Sequence, residues 1–274
     1  MLKKKKKKQE KWLKEGRGQG EFAEYKPWIK ISDISSSGRS HRVFGHKTRR
    51  THHLMSDLEL ATFLFLEWSQ EIIDIREQFP LKFDETLQIA ENMQVKHPAI
   101  RGNTHVMTSD FYVVSSDKEL SQFVLQAKYS KDLMKPRTLE KLEIERRYWH
   151  SKGISWQIIT EKDIPIAVQN NIKWLYPETT LNRSVDTQDS LNFYAKEFTK
   201  YPEKSIIAVC KDIDTAYFSE VGSSLNELRT LLGLRFFTFD LRIGFRKLKC
   251  SDIQISNSHY WDLMTEELGY VANQ

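Results

Sequence analysis

Two apolar runs, Val106-Met-Thr-Ser-Asp-Phe-Tyr-Val-Val114 and Phe123-Val-Leu-Gln-Ala-Lys128, flank the polar segment Ser115-Ser-Asp-Lys-Glu119. Strand, polar turn and strand in that order predict an antiparallel hairpin. Side chains alternate along a strand, so Phe123, Leu125 and Ala127 can face a core while Val124, Gln126 and Lys128 face the other way. The hairpin can therefore bring Asp110 close to Gln126 and Lys128, where a carboxylate, an amide oxygen and an ammonium converge. A surface hairpin with ordinary polar residues accounts for the same three side chains, and the rest of the chain has to decide between the two readings.

Oxygen ligands suit Mg²⁺, a hard octahedral ion held by one or two carboxylates together with substrate phosphates. A lysine beside such an ion can position water and stabilise developing negative charge, which are the parts needed to hydrolyse a phosphodiester. Upstream, Ser56 followed three residues later by Glu59 forms a capping box before the apolar stretch Leu60–Trp68. The box alone gives Glu59 a structural purpose worth about 1 kcal/mol, yet a first-turn glutamate is also placed to reach a sheet edge. Downstream, Thr138–Trp149 reads as a helix with Leu142, Glu145 and Trp149 on one face. A carboxylate on an apolar stripe needs a partner: either a salt bridge to Arg76, Arg146 or a lysine, or a supporting place in the site.

The blocks Lys14-Glu-Gly-Arg-Gly-Gln-Gly20, Ser36-Ser-Gly-Arg-Ser-His-Arg42, His52-His-Leu-Met-Ser-Asp-Leu-Glu59, Asp74-Ile-Arg-Glu-Gln-Phe-Pro-Leu81, Ser109-Asp-Phe111 and Thr138–Trp149 resemble the TnsA family, the endonuclease subunits of heteromeric transposases. The resemblance runs nearly end to end. It implies an α/β fold: a restriction-endonuclease-like catalytic domain, a mixed sheet flanked by helices, followed by a mostly helical winged-helix-like C-terminal domain. It also implies metal binding by Glu59, Asp110 and Gln126, an active-site lysine at Lys128 and a supporting role for Glu145. Most nucleases of this superfamily carry Asp or Glu where Gln126 stands, so the site has one formal charge fewer and Glu59 has to supply it. The cofactor implied is Mg²⁺, with Mn²⁺ as a substitute. The implied reaction cuts the strands at the 5′ ends of a transposon. A TnsB-type transposase cuts and joins the 3′ ends, and a TnsC-type AAA+ ATPase contacts the C-terminal part.

At 274 residues the chain is long enough for two domains. No segment approaches the roughly 20 apolar residues of a membrane span, and the basic start lacks the apolar core of a secretory signal. Cys210 and Cys250 show no paired spacing. These features predict a cytoplasmic protein. Residues 1–50 hold 16 Lys and Arg against 5 acids, while the whole chain is only +5, so the basic charge is local. The Lys3–Lys8 run predicts a flexible arm over residues 1–20. Lys3, Lys4, Lys5, Arg17, Arg39, Arg42, Arg49 and Arg50 are the candidate DNA contacts, acting through phosphate neutralisation; a solvated tail or a localisation-like patch fits the lysines as well. Gly16, Gly18 and Gly20 lack the flanking strand and helix of a nucleotide fingerprint and read as a flexible basic loop near DNA. His41, His46, His52 and His53 lack the spacing of a zinc motif.

The nuclease domain is expected over residues 21–175, ending with a strand at Ser155–Thr160 and a helix from Asp163 to Leu175 with Pro165 in its first turn. Residues 176–185 are the expected linker. In residues 186–274, helical patterns at Gln188–Thr199, Ser205–Lys211 and Ser224–Leu232 precede a strand-like stretch, Leu234–Arg242. That is a winged-helix order, open to DNA binding or to protein docking. A metal-dependent DNA endonuclease is the leading expectation. The alternatives are a non-catalytic DNA-binding adaptor that recruits a transposase and ATPase, and an independent restriction-type nuclease.

Overall fold

The computed structural model describes residues 10–33, 39–100, 102–179 and 187–256. The chain divides into two compact units, residues 1–164 and 165–274.

The first unit is built on a mixed four-stranded sheet of β3 (Ile72–Pro80), β6 (Thr108–Ser115), β7 (Gln122–Ala127) and β8 (Ser155–Ile159), in the order β3-β6-β7-β8. β6 runs antiparallel to β3 and β7. β7 and β8 are parallel, so a helical crossover, α4 (Pro136–Ser151), joins them. The expected hairpin is thus the centre of the sheet and not a surface ribbon. Both faces of β7 are covered: Val124, Leu125, Gln126 and Ala127 are all buried, because a central strand in a layered α/β fold has no wet side.

On one face, Tyr148 and Trp149 of α4 pack with Tyr112, Val124, Leu81 and Ala90, the last from α3 (Phe83–Asn92). α2 (Asp57–Trp68) buries Leu58, Phe63, Leu64 and Leu66. Its start is the predicted cap, with Ser56 Oγ accepting from the Glu59 N–H at 3.1 Å. Before it, β1 (His41–Gly45) and β2 (Arg50–Leu54) form a separate antiparallel ribbon, and two-residue strands β4 (Ala99–Ile100) and β5 (Asn103–Thr104) form another.

Residues 10–14 are helical (α1), and the segment after them is a built turn, which corrects the expected flexible loop. Gly16, Gly18 and Gly20 all have positive φ, the Gly18 N–H donates to Lys26 O at 2.6 Å, and a Cβ at Gly18 would lie 2.2 Å from Pro80 Cγ. Gly18 serves a close approach to β3, and Gly20 one to the Glu24 backbone, a use of conformational freedom that a flexible loop does not need. Residues 1–9, including Lys3, Lys4 and Lys5, lie outside the described residues.

The second unit begins at Pro165, before α5 (Ile166–Leu175), so the division falls ahead of the expected linker. Asn171 explains why: its amide donates to Leu241 O and Ile243 O, and its oxygen accepts from Phe245 N–H. Trp174 stacks on Phe245 at 4.2 Å. Residue Glu178, inside the expected linker, pairs with Arg229. Three further helices follow, α6 (Thr187–Lys200), α7 (Ile206–Ala216) and α8 (Ser223–Gly233). A short antiparallel pair, β9 (Phe237–Thr238) and β10 (Gln254–Ile255), completes the unit. The expected strand Leu234–Arg242 shrinks to two residues, and Asn171 holds the backbone at its far end, at Leu241, and just past it, at Ile243 and Phe245. Among the described residues, no helix is long and apolar enough to cross a membrane.

Candidate active site

Asp110 and Gln126 come from neighbouring strands, and Glu59 comes from the first turn of α2. Gln126 Oε1 accepts from the Asp110 N–H at 3.0 Å, and Asp110 Oδ2 accepts from the Ala127 N–H at 2.9 Å. The hairpin register therefore pins the carboxylate. Glu59 Oε2 accepts from the Met55 N–H at 2.8 Å, and Oε1 accepts from Ser56 Oγ. The capping role and the site role fall on the same carboxylate.

A residue that the sequence reading passed over joins the two acids. Gln78 Nε2 lies 3.3 Å from Asp110 Oδ1 and 3.5 Å from Glu59 Oε2, so those oxygens are no further apart than two hydrogen bonds from one nitrogen. Gln78 Oε1 accepts from Thr108 Oγ1 at 3.1 Å, which fixes the amide orientation. Gln78 sits in β3 at φ 50, a left-handed conformation that costs a non-glycine residue about 1 kcal/mol. That backbone breaks the strand alternation. Glu77 and Gln78 both turn toward the β2 and α2 side, while Phe79 stacks on Tyr112 at 4.7 Å. The only signal in the sequence is the adjacent polar pair Glu77-Gln78 inside an otherwise strand-like run.

Lys128 follows β7, is half-buried, and lines a cavity of about 330 Å³ together with Gln126, Glu145, Thr108 and Lys141. Its charge acts on Glu59, Asp110 and Glu145. Among the described residues, Glu145 does not form the salt bridge that one reading foresaw. Its Oε1 accepts from Ser109 Oγ at 2.6 Å and Trp156 Nε1 at 2.9 Å, while Arg76 pairs with Asp74 and Arg146 with Glu143. Burial pushes the Glu145 carboxyl up to about 8.

The electrostatics show what this site can accept. Burial, aided by the Asp110 charge, pushes Glu59 up to about 8. Burial also raises Asp110 against the pull of Lys128 and of its hydrogen bonds. Two adjacent acids that resist ionising are the condition a divalent cation relieves. Among the described residues no group of three or more His, Cys, Asp and Glu could hold a metal. The donor set that fits is two carboxylates completed by amide oxygen, all hard ligands suited to Mg²⁺. Gln126 Oε1 already accepts one hydrogen bond, which leaves it one lone pair.

The expected DNA contacts divide sharply. Arg42 and Arg49 are exposed, and Arg39 is exposed but paired with Asp57 at 2.8 Å. Arg17 and Arg50 are each held by a carboxylate. Arg17 is 8% exposed, paired with Asp33 and stacked 4.4 Å over Trp12. Arg50 is 9% exposed, with a two-pronged pair to Glu77 at 2.9 and 2.6 Å. Neither offers a free guanidinium to a phosphate. The histidines also find separate partners: His41 on Asp57, His52 between Thr48 and Glu77, and His53 near the Ile31 N–H.

A mixed sheet flanked by helices, with Glu59, Asp110 and Gln126 meeting where the strand pair reaches α2, is the architecture of the restriction-endonuclease-like class. Models of two families match the chain, one described as TnsA-like endonuclease N terminal over residues 69–161 and one as TnsA endonuclease C terminal over residues 163–241. The transposon Tn7 transposition protein TnsA of Escherichia coli is 47% identical over 261 residues, covering 95% of this chain and 94% of that protein. The chain belongs to the TnsA family of transposon endonucleases.

Proposed function

We propose that the protein is a Mg²⁺-dependent DNA endonuclease that hydrolyses the strands at the 5′ ends of a cut-and-paste transposon. It acts with a TnsB-type transposase and a TnsC-type ATPase in the cytoplasm, where the element's DNA lies. The observation that carries the reading is the meeting of Glu59 and Asp110, from separate elements, at the single amide of Gln78.

Glu59, Asp110 and Gln126 would hold Mg²⁺, or Mn²⁺ in its place. The ion's chemistry is to screen the phosphodiester charge and make bound water acidic enough to attack. Lys128 would orient the attacking water and offset charge developing on the phosphate. Glu145, held by Ser109 and Trp156, supports the wall of the cavity that Lys128 also lines. Hydrolysis at this site leaves 5′-phosphate and 3′-hydroxyl ends. A catalytically silent adaptor would need the same DNA contacts but no buried pair of acids beside a lysine.

The test mixes the protein, its partner transposase, transposon-end DNA and Mg²⁺. Asp110→Ala and Lys128→Ala are expected to lose nicking at the 5′ ends while keeping partner binding. Nicking that persists in Asp110→Ala puts the chemistry elsewhere, and cutting by this chain alone at a specific sequence favours an independent nuclease.

A further inference from the structure

Arg42 and Arg49 stand apart from the other arginines expected at DNA. Both are exposed, and neither forms a salt bridge among the described residues, whereas Arg17, Arg39 and Arg50 each hold a carboxylate. Arg42 lies in β1, and Arg49 lies in the turn that joins β1 to β2. Within the ribbon Arg42 is registered against His53, and Phe44 against Thr51. Arg42 and Phe44 are two apart on one strand and so share a face. Phe44 is 47% exposed and Thr51 is exposed beside it.

The other face of the ribbon is anchored. His52 is fully buried, bonded to Thr48 and paired with Glu77 at 2.8 Å. Glu77 Oε1 also accepts from the His53 N–H at 3.1 Å. At the turn, Glu67 Oε2 accepts from the His46 N–H at 3.0 Å and the Lys47 N–H at 3.3 Å. The outer face thus carries the exposed Arg42 and the Phe44 ring, which meets His46 edge-on at 5.8 Å, and the exposed Arg49 stands in the adjoining turn; among the described residues neither guanidinium forms a salt bridge. The root of the ribbon joins the site directly: β2 ends at Leu54, and the next residue, Met55, donates its N–H to Glu59.

Exposed cations that no acid claims among the described residues, on the same hairpin as an exposed aromatic ring, complement a polyanion with a stacked apolar interior. We infer that the outer face of the β1–β2 ribbon seats on duplex DNA beside the cut, with Arg42 and Arg49 on phosphates and Phe44 as a wedge against one base step. Ring insertion unstacks the step and bends the duplex, while the guanidiniums fix its register. This deepens the nuclease reading, on which it rests for the identity of the DNA.

The full chain is titrated, in EDTA so that no hydrolysis occurs, onto duplexes spanning the junction of element and flanking DNA with 2-aminopurine at successive positions. Wild type and Phe44→Trp are expected to raise the emission severalfold at one step, and Phe44→Ala to leave it at the free-duplex level. Arg42→Ala and Arg49→Ala should each reduce the slope of log affinity against log salt by about one. A wild-type profile from Phe44→Ala, no responding position in wild type, or an unchanged salt slope in the double arginine variant overturns the inference, with equal melting temperatures showing that each variant is folded. Cleavage by Asp110→Ala in Mg²⁺ judges the nuclease reading separately, so either can fail while the other stands.

Discussion

Gln78 donates its amide N–H to Asp110 Oδ1 at 3.3 Å from a backbone held at φ 50. The same nitrogen reaches Glu59, so one strained residue spans the helix acid and the strand acid. Removing the amide leaves both carboxylates less constrained and places no donor between them. Gln78→Leu is expected to weaken Mg²⁺-dependent cleavage about 10- to 100-fold, the usual cost of losing a residue that orients metal ligands. A titration of nicking rate against Mg²⁺ checks this; an unchanged Mg²⁺ dependence removes Gln78 from the site.

Asp110 and Glu59 oppose each other's ionisation in the metal-free protein. Asp110→Asn abolishes one charge while keeping the shape and the acceptor for the Ala127 N–H. The variant should melt at a higher temperature than wild type in EDTA. Mg²⁺ should raise the melting temperature of wild type, by mass action on the folded state, and leave that of the variant unmoved. Equal Mg²⁺ responses would contradict a shared ion.

Glu145 carries a pH dependence of opposite sense to the usual surface acid. Burial raises its folded value to about 8 from an ordinary 4.5, so its contribution to stability is full below about pH 4.5 and is lost as pH rises through about 8. Glu145→Gln keeps an acceptor for Ser109 and Trp156 without the charge. In EDTA the variant should match wild type near pH 4 and exceed it by about 1–3 kcal/mol at pH 9. Urea unfolding at the two pH values measures the difference.

Glu77 has the reverse sign. Burial on its own would raise it, but the charges and hydrogen bonds of His52 and Arg50 outweigh burial and hold it well below the usual carboxylate range. Its contribution is present above the unfolded value near 4.5 and is lost as pH falls below it. Arg50→Ala strands that carboxylate without its two-pronged partner and is expected to cost about 3–5 kcal/mol at pH 7, as for other broken buried pairs. The loss should shrink on acidification; a small, pH-independent loss in chemical unfolding would argue against the network.

Local pattern made much of this protein legible. The alternation in Val106–Val114 and Phe123–Lys128 became the central strands, Ser56 and Glu59 became the cap of α2, and the Leu142, Glu145 and Trp149 stripe became the buried face of α4. The opposite faces of those elements were harder to read. The alternation assigned Val124 and Gln126 a face away from the core, yet both are buried, because the layers that cover a sheet come from distant segments.

Charge was the least legible property. Arg17, Arg42, Arg49 and Arg50 look alike in a basic N-terminal stretch, but Asp33 and Glu77 claim Arg17 and Arg50 while no salt bridge among the described residues claims Arg42 or Arg49. Likewise Leu234–Arg242 has the composition of a strand, but Asn171 of α5 holds the backbone at its far end and just past it.

The sequence by itself determined the hairpin strands β6 and β7, the cap of α2 and the apolar stripe of α4, since these depend on neighbours within a few residues and on the period of apolar side chains. Which acids meet, which cations stay free and that Gln78 bridges Glu59 to Asp110 were decided only by tertiary structure. Those relations join residues 19 and 32 positions apart, and no local periodicity encodes a distance across a folded core.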